Sequence, residues 1–396
     1  MTHSGSPLTI LGIYLHPYVR TGGHRRYLEL MQGLARRGHR CLLLLDPRLR
    51  LDLPAVELLR LDPASAQQSR RPLLPASLRY RAAVRRALPS IRAALAEQPP
   101  AAVVVFGETH YPPSRLLTRE LRVPLLFGFR SLPVEVGRIE RSEAGRSVAQ
   151  RLRISARIAK YRLYERAVAR HADRIIFQSP HDRDRFLARN PAATARSSVI
   201  RGNIGEPWYR SADRDTNRSS ALQRIIYVGA LNTRKGVGYL LEAFAQLAAE
   251  LPRLKLDVAG EGSLRAALEA RAASLGLADR IGFLGRVGEP LAAIAGADLL
   301  VVPSLFDSYP NTILEALHVG TPVIAARSGG IPDMLEHDEL LFPPADASAI
   351  ADRIRLLASD PAAYRRVRDL CSRRRSCFEF DWPAEWERVI REMASE

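Results

Sequence analysis

The sequence predicts an α/β protein made of two doubly wound, Rossmann-like domains facing each other across a cleft. Three observations carry that reading. The chain has 396 residues, more than one core of about 100–200 residues accommodates. Short, nearly continuous Val/Ile/Leu runs alternate with helical patterns, as parallel strands covered on both faces do. The alternation occurs twice, on either side of a polar stretch at 205–220 that has no periodicity.

Taken in order, the first series places strands at 8–15, 41–45, 102–106, 123–127, 174–178 and 198–201. The second places them at 224–229, 254–259, 280–284, 298–303 and 321–325. Helical patterns lie between them. At 237–251, for example, Leu240, Phe244, Leu247 and Leu251 recur on one face. This predicts domains at 1–205 and 206–379, with a helix at 380–396 that returns to the first domain. Ligands of such folds bind beyond the carboxyl ends of the strands, so the cleft is the expected site.

With 46% hydrophobic and 26% charged residues the chain reads as an ordinary globular protein. Its net charge of +17 is unevenly spread. Residues 1–205 hold 36 Lys and Arg against 15 Asp and Glu; the remainder holds 23 against 27. Two explanations stand side by side. The first half meets an anionic surface or substrate, or the excess reflects an arginine-biased composition, since Lys160, Lys235 and Lys255 are the only lysines. Segment 138–170, with ten basic and three acidic residues, reads as one or two amphipathic helices anchored by Leu152, Ile154, Ile158, Tyr161 and Leu163. It is either a membrane-facing surface or a solvated cover helix. Cys41, Cys371 and Cys377 fit no disulfide framework or zinc spacing. No apolar run reaches membrane-spanning length and the N-terminus lacks a signal pattern, so a cytoplasmic location is expected.

Several residues fall at strand ends where ligands bind. Gly22 and Gly23 close the first strand-to-helix turn, where bare backbone N–H groups can approach an anion, although many such turns hold glycine for geometry alone. Arg234 and Lys235 follow the first strand of the second domain and suit a diphosphate; an ordinary solvated pair is the alternative. Asp307 and Glu315 lie eight apart in LFDSYPNTILEAL, flanking a helix start at Pro310. There they can accept hydrogen bonds from vicinal sugar hydroxyls. His110 and Arg130 follow two strands of the first domain.

Together these segments resemble the GT4 family of GT-B glycosyltransferases over nearly the whole chain. VGALNTRKGVGYLLEAF is similar to the family's donor-phosphate segment, and ADLLVVPSLFDSYPNTILEALHVGTPVIAARSGGIPDML to its E-x7-E segment. TGGHRRYLELMQGLARRGH resembles the amino-terminal glycine loop, and VIRGNIG the end of the first domain. The resemblance implies a retaining, metal-independent transferase that uses a UDP- or GDP-linked sugar and needs no cofactor. It implies a glycan or polyprenyl-linked acceptor in surface polysaccharide or glycolipid synthesis, with no nucleic-acid partner. By position, Gly22 and Gly23 would meet the donor, and Arg234 and Lys235 its diphosphate. Arg286 and Val287 would lie near the base. Asp307 would touch the transferred sugar. Tyr309, Pro310, Asn311 and Thr312 would present backbone amides, and Glu315 would bind ribose. His110 and Arg130 complete the set as catalytic and donor-binding candidates. Three departures stand out: Asp307 replaces a glutamate, Ala230 an arginine, and Arg130 a histidine. The triplet Asp182-Arg183-Asp184 imitates a metal motif of the other glycosyltransferase fold and reads as coincidence. A nucleotide-sugar epimerase or hydrolase, and a non-enzymatic binder of anionic surfaces, are the competing readings.

Overall fold

A computed structural model describes residues 6–19, 22–61, 76–142, 147–204 and 222–395. The expected linker at 205–220 lies outside the described residues. The first half runs β1 (Thr9–Tyr14), α1 (Gly22–Arg36), β2 (Arg40–Leu45), β3 (Val56–Arg60), α2 (Ala76–Ala94), β4 (Ala102–Phe106) and α3 (Tyr111–Leu121). It continues with β5 (Leu125–Gly128), α4 (Pro133–Ser142), α5 (Val148–His171), β6 (Arg174–Phe177), α6 (Pro180–Leu187) and β7 (Ser197–Val199). The second half runs β8 (Arg224–Val228), α7 (Val237–Leu247), β9 (Lys255–Ala259), α8 (Arg265–Ser274), β10 (Ile281–Gly285), α9 (Pro290–Ala295) and β11 (Leu299–Val302). After these come α10 (Asn311–Val319), β12 (Val323–Ala326), α11 (Ile331–Leu335), β13 (Leu341–Phe342), α12 (Ala347–Ser359), α13 (Pro361–Ser376) and α14 (Trp382–Ser395).

The strands form two wholly parallel sheets, ordered β3-β2-β1-β4-β5-β6-β7 and β10-β9-β8-β11-β12-β13. Each order reverses direction once, between β1 and β4 and between β8 and β11. At such a switch point the flanking loops diverge and leave a crevice at the strand ends. Apolar runs fill the strands because both faces are covered: every residue of β1, β4, β5 and β12 is buried.

Two details adjust the sequence reading. β3 and β13 were not expected. β3 is an edge strand with only its first residue buried, and β13 has two residues, so neither gives a continuous apolar run. The apolar anchors foreseen in segment 138–170 divide between two faces of the single helix α5. Ile154 and Ile158 are buried against Val134 of α4, with Tyr161 beside them, so they bind the helix to its own domain. Leu152 and Leu163 are exposed.

The chain crosses back at its end. Trp382, Trp386, Val389, Ile390 and Met393 of α14 share a core with β1, β2 and α1. Arg37 secures α14 through Asp381 and Glu387, each at 2.5 Å.

Candidate functional site

The two switch points face each other, and four turns converge between them. On the first-domain side, α1 opens directly at Gly22. A Cβ there would lie 1.9 Å from Nδ2 of Asn311, the first residue of α10 in the second domain. Two helix N-termini therefore meet across the cleft, where their unsatisfied N–H groups and dipoles favour an anion. Arg26, one turn into α1, fixes that approach. Its Nε donates to Asn311 Oδ1 at 2.9 Å and its Nη2 donates to the Asn203 carbonyl at 2.9 Å. The guanidinium is buried and sits 5.7 Å from the Trp382 ring.

Beside it lies a cluster of imidazoles. The His16 ring is 4.6 Å from His24 and 4.7 Å from His110. Desolvation, with the Arg130 charge adding to it, lowers His16 to about 4 and His24 to about 3. Both are neutral at physiological pH. Arg130 threads between two bare backbones: a Cβ on Gly23 would lie 3.0 Å from its Cδ, and one on Gly107 3.1 Å from its Nη2. Among the described residues the buried Nε of Arg130 and Nε2 of His16 have no hydrogen-bond partner.

The expectation of a catalytic His110 is corrected here. The ring is 3% exposed, Nδ1 lies 2.7 Å from the Phe106 carbonyl, and Nε2 accepts the Leu15 N–H at 3.1 Å. Burial holds its pKa at about 3. With both nitrogens engaged by backbone, His110 ties the end of β1 to the turn after β4 and has no lone pair left for a substrate.

On the second-domain side, Thr233–Lys235 forms one tight turn after β8, capped by the Asn232 side chain accepting the Lys235 N–H at 3.2 Å. Gly236 follows with φ +68°, and a Cβ there would strike the Pro303 carbonyl at 1.9 Å. The two cations lean on the loop after β11. Arg234 Nη1 donates to the Phe306 carbonyl at 2.9 Å, and Lys235 Nζ pairs with Asp307 Oδ2. Pro310 caps α10 from outside the helix, so Asn311 and Thr312 occupy its half-buried first turn. Tyr309 is buried, and its hydroxyl donates to the Gly202 carbonyl at 3.2 Å, a second tie between the domains.

Glu315 is half-buried one turn below Asn311, while Ile313 and Leu317 face the core. Burial raises its pKa, and Arg26 and Arg25 partly offset this. Glu29 of α1 is raised to about 7, mainly by burial, with Glu315 among the charges that add to the rise. The cleft thus holds two carboxyls and two arginines of α1 and α10 in one field. Arg286 and Val287 stand apart: they follow β10, the edge strand two positions from β8, and Arg286 is exposed.

Sequence reasoning missed Arg26, Glu29, His16 and His24. The cation one turn after a glycine pair was the available signal for Arg26. Asp182 of the triplet is buried and raised to about 7 by desolvation, while Arg183 pairs with Asp184, so the three do not converge. No cluster of three or more His, Cys, Asp or Glu among the described residues is arranged to hold a metal ion.

Comparison with known proteins follows the two halves. Residues 21–201 match the model of the glycosyl transferase 4-like domain, and residues 210–370 that of glycosyl transferases group 1. The D-inositol 3-phosphate glycosyltransferase of Streptomyces avermitilis is 28% identical over 242 residues, covering 56% of this chain and 52% of that protein. The chain spans about half the length of the curated relatives it matches first. Sucrose-phosphate synthase from Thermosynechococcus elongatus shares the fold with a TM-score of 0.74 at 22% identity, over 98% of this chain and 99% of that one. Anabaena HepE, solved in complex with UDP and glucose, does so with a TM-score of 0.70 at 17% identity, over 98% and 100%. Two parallel sheets meeting at paired switch points, and two family models that together span residues 21–370 apart from a short gap, make one assignment: the chain belongs to the group 1 glycosyltransferases of GT-B fold.

Proposed function

We propose that the protein transfers a sugar, with retention of configuration, from a nucleotide-diphosphate donor to a glycan or lipid-linked acceptor. The observation that carries this reading is the convergence of the α1 and α10 N-termini beside Arg234 and Lys235. A diphosphate is the ligand that such a collection of N–H donors, dipoles and cations recognises. The complex of Anabaena HepE with UDP and glucose supports a uridine donor here.

In this reading Arg234 and Lys235 stabilise the departing diphosphate, which supplies the main electrostatic contribution to catalysis. Asp307 exchanges its pairing with Lys235 for a sugar hydroxyl, and Glu315 takes the ribose hydroxyls. Gly22 and Gly23 keep the donor's approach clear, and Tyr309, Pro310, Asn311 and Thr312 form the backbone cradle. Arg286 and Val287 border the base. A leaving phosphate oxygen accepts the acceptor's proton, so no side-chain base is required once His110 is set aside. The two cations provide the countercharge that a metal provides elsewhere. Arg130, between Gly23 and Gly107, meets the anionic part of the donor. The enzyme works in the cytoplasm at the inner face of the membrane, in the synthesis of surface polysaccharide or glycolipid.

The test is nucleoside-diphosphate binding to the folded Arg234→Ala/Lys235→Ala double variant, measured by calorimetry. Loss of two charge-assisted contacts weakens binding by about 2–4 kcal/mol. Affinity equal to that of the parent protein removes the diphosphate from this turn and the reading with it.

A further inference from the structure

Two features meet on the first domain around α4 and α5. The first is the second apolar stripe of α5. Ile154, Ile158 and Val168 are buried. Val148, Leu152 and Leu163 project from the opposite face at 75%, 66% and 65% exposure, the most exposed large apolar side chains among the described residues. Leu152 and Leu163 stand three turns apart on one line, and exposed Ala156 and Ala159 fill the interval. Exposed cations border the stripe on both sides: Arg151 and Arg162 on one flank, Arg153 and Lys160 on the other. Two opposed apolar stripes cancel in any single amphipathic period, so the whole helix carries no net direction although each face is distinct.

The second feature is a cavity of about 240 Å³ between α4, α5 and the residues after α6. Arg138, Arg162, Arg166 and Arg189 line it, with Glu165 and Asn190. Arg189 binds Glu165 at 2.9 Å and Glu135 at 2.6 Å, and Arg138 binds Glu135 at 3.1 Å. Arg162 and Arg166, one turn apart, carry no ion pair or hydrogen bond among the described residues. Arg162 belongs to both features, so the cavity opens beside the apolar stripe. With Arg138 and Arg189 paired to Glu135 and Glu165, Arg162 and Arg166 supply the excess guanidinium charge that suits a phosphate.

We propose that α5 docks the first domain on an anionic phospholipid bilayer. The Val148, Leu152 and Leu163 stripe enters the interface, and a headgroup phosphate seats in the arginine cavity. A narrow leucine stripe between rows of cations is the pattern of a helix lying in the plane of an anionic membrane surface. Nucleic acid matches the cations but not the leucines. α4, one wall of the cavity, also packs against the Thr233–Lys235 turn, so docking brings the cleft to the membrane. This deepens the reading of a lipid-linked acceptor and rests on it for its purpose.

Flotation of the full chain with vesicles tests it, using phosphatidylcholine alone and phosphatidylcholine mixed with phosphatidylglycerol. The protein floats with the mixed vesicles, not with the neutral ones, and high salt releases it. Leu152→Ser/Leu163→Ser lowers the partition coefficient at least about tenfold, with an unchanged melting temperature because both side chains are exposed. Arg153→Ala/Lys160→Ala removes charge outside the cavity and lowers it about tenfold. Arg162→Ala/Arg166→Ala removes equal charge and lowers it about a hundredfold, because the phosphate also loses its seat. Equal recovery on neutral and mixed vesicles, or leucine variants that float like the parent, overturns the docking. Equal losses from the two cation pairs overturn the cavity. Sugar transfer to a water-soluble acceptor is followed in parallel. Failed transfer with normal flotation counts against the transferase alone, a parent chain that transfers sugar but does not float counts against the docking alone, and variants that lose flotation while keeping transfer are the expected result.

Discussion

The two walls of the cleft are built on different physics. The second-domain wall is polar and paired: Arg234 rests on the Phe306 carbonyl, Lys235 on Asp307, and the turn that carries them is capped by Asn232. The first-domain wall is desolvated. His16, His24 and His110 are held neutral by burial, and Glu29 and Asp182 are raised to about 7. On the second wall each of these cations meets a carboxylate or a carbonyl. A wall of buried titratable groups couples the fold itself to pH.

The largest effect expected from this contrast is at Asp182, on α6 of the first-domain wall. Its folded pKa of about 7 lies above the ordinary carboxylate value, chiefly through desolvation. A raised carboxyl favours the folded state fully below the unfolded pKa, and that contribution is lost as pH rises towards 7. Urea unfolding of the parent should therefore show stability falling between about pH 4 and pH 7, by at most roughly 1.4 kcal/mol per unit from this group. Asp182→Asn reduces the slope and leaves the share of Glu29, which is raised to the same range. A slope unchanged by the substitution shows that the first wall is not set by burial.

Gly236 on the second wall meets a backbone carbonyl and has φ +68°, whereas Gly22 on the first meets the side chain of Asn311. Gly236→Ala should cost about 3 kcal/mol, combining a left-handed backbone with overpacking. Gly22→Ala should cost less in stability but separate Asn311 from Arg26 and reduce turnover. Asn311→Ala added to Gly22→Ala should recover the lost stability. Equal costs at the two glycines would erase the distinction between a rigid and a yielding neighbour.

The smallest effect concerns His110. His110→Ala strands the Leu15 N–H and the Phe106 carbonyl and should cost about 2 kcal/mol in stability. The pH dependence of turnover between about pH 6 and pH 8 should keep its shape, because the imidazole is neutral throughout that range. A lost limb in that profile returns His110 to the chemistry.

How far the sequence reached differs between the walls for the same reason. On the second wall Arg234, Lys235, Asp307 and Glu315 are local features of two strand-to-helix turns, and the turn residues beside them announced them. On the first, Arg26 acquires its role from Asn311, 285 positions away, and His16 and His24 become a cluster only when the strands align. Fold class followed the same division. Strands buried on both faces declared themselves by continuous apolar runs, while β3 and β13, partly exposed or two residues long, did not.

The sequence by itself determined the fully buried strands and their order, because apolar periodicity and turn chemistry act over a few residues. It determined the charged turn of the second domain for the same reason. Only the tertiary structure decided which stripe of α5 is core and which is surface, since a period of 3.6 residues assigns faces without saying what covers them. Only the tertiary structure showed that His110 is a strut, because its partners are backbone atoms that no residue type signals. Burial and pairing between distant segments fix a side chain's charge, and those distances exist only in the folded chain.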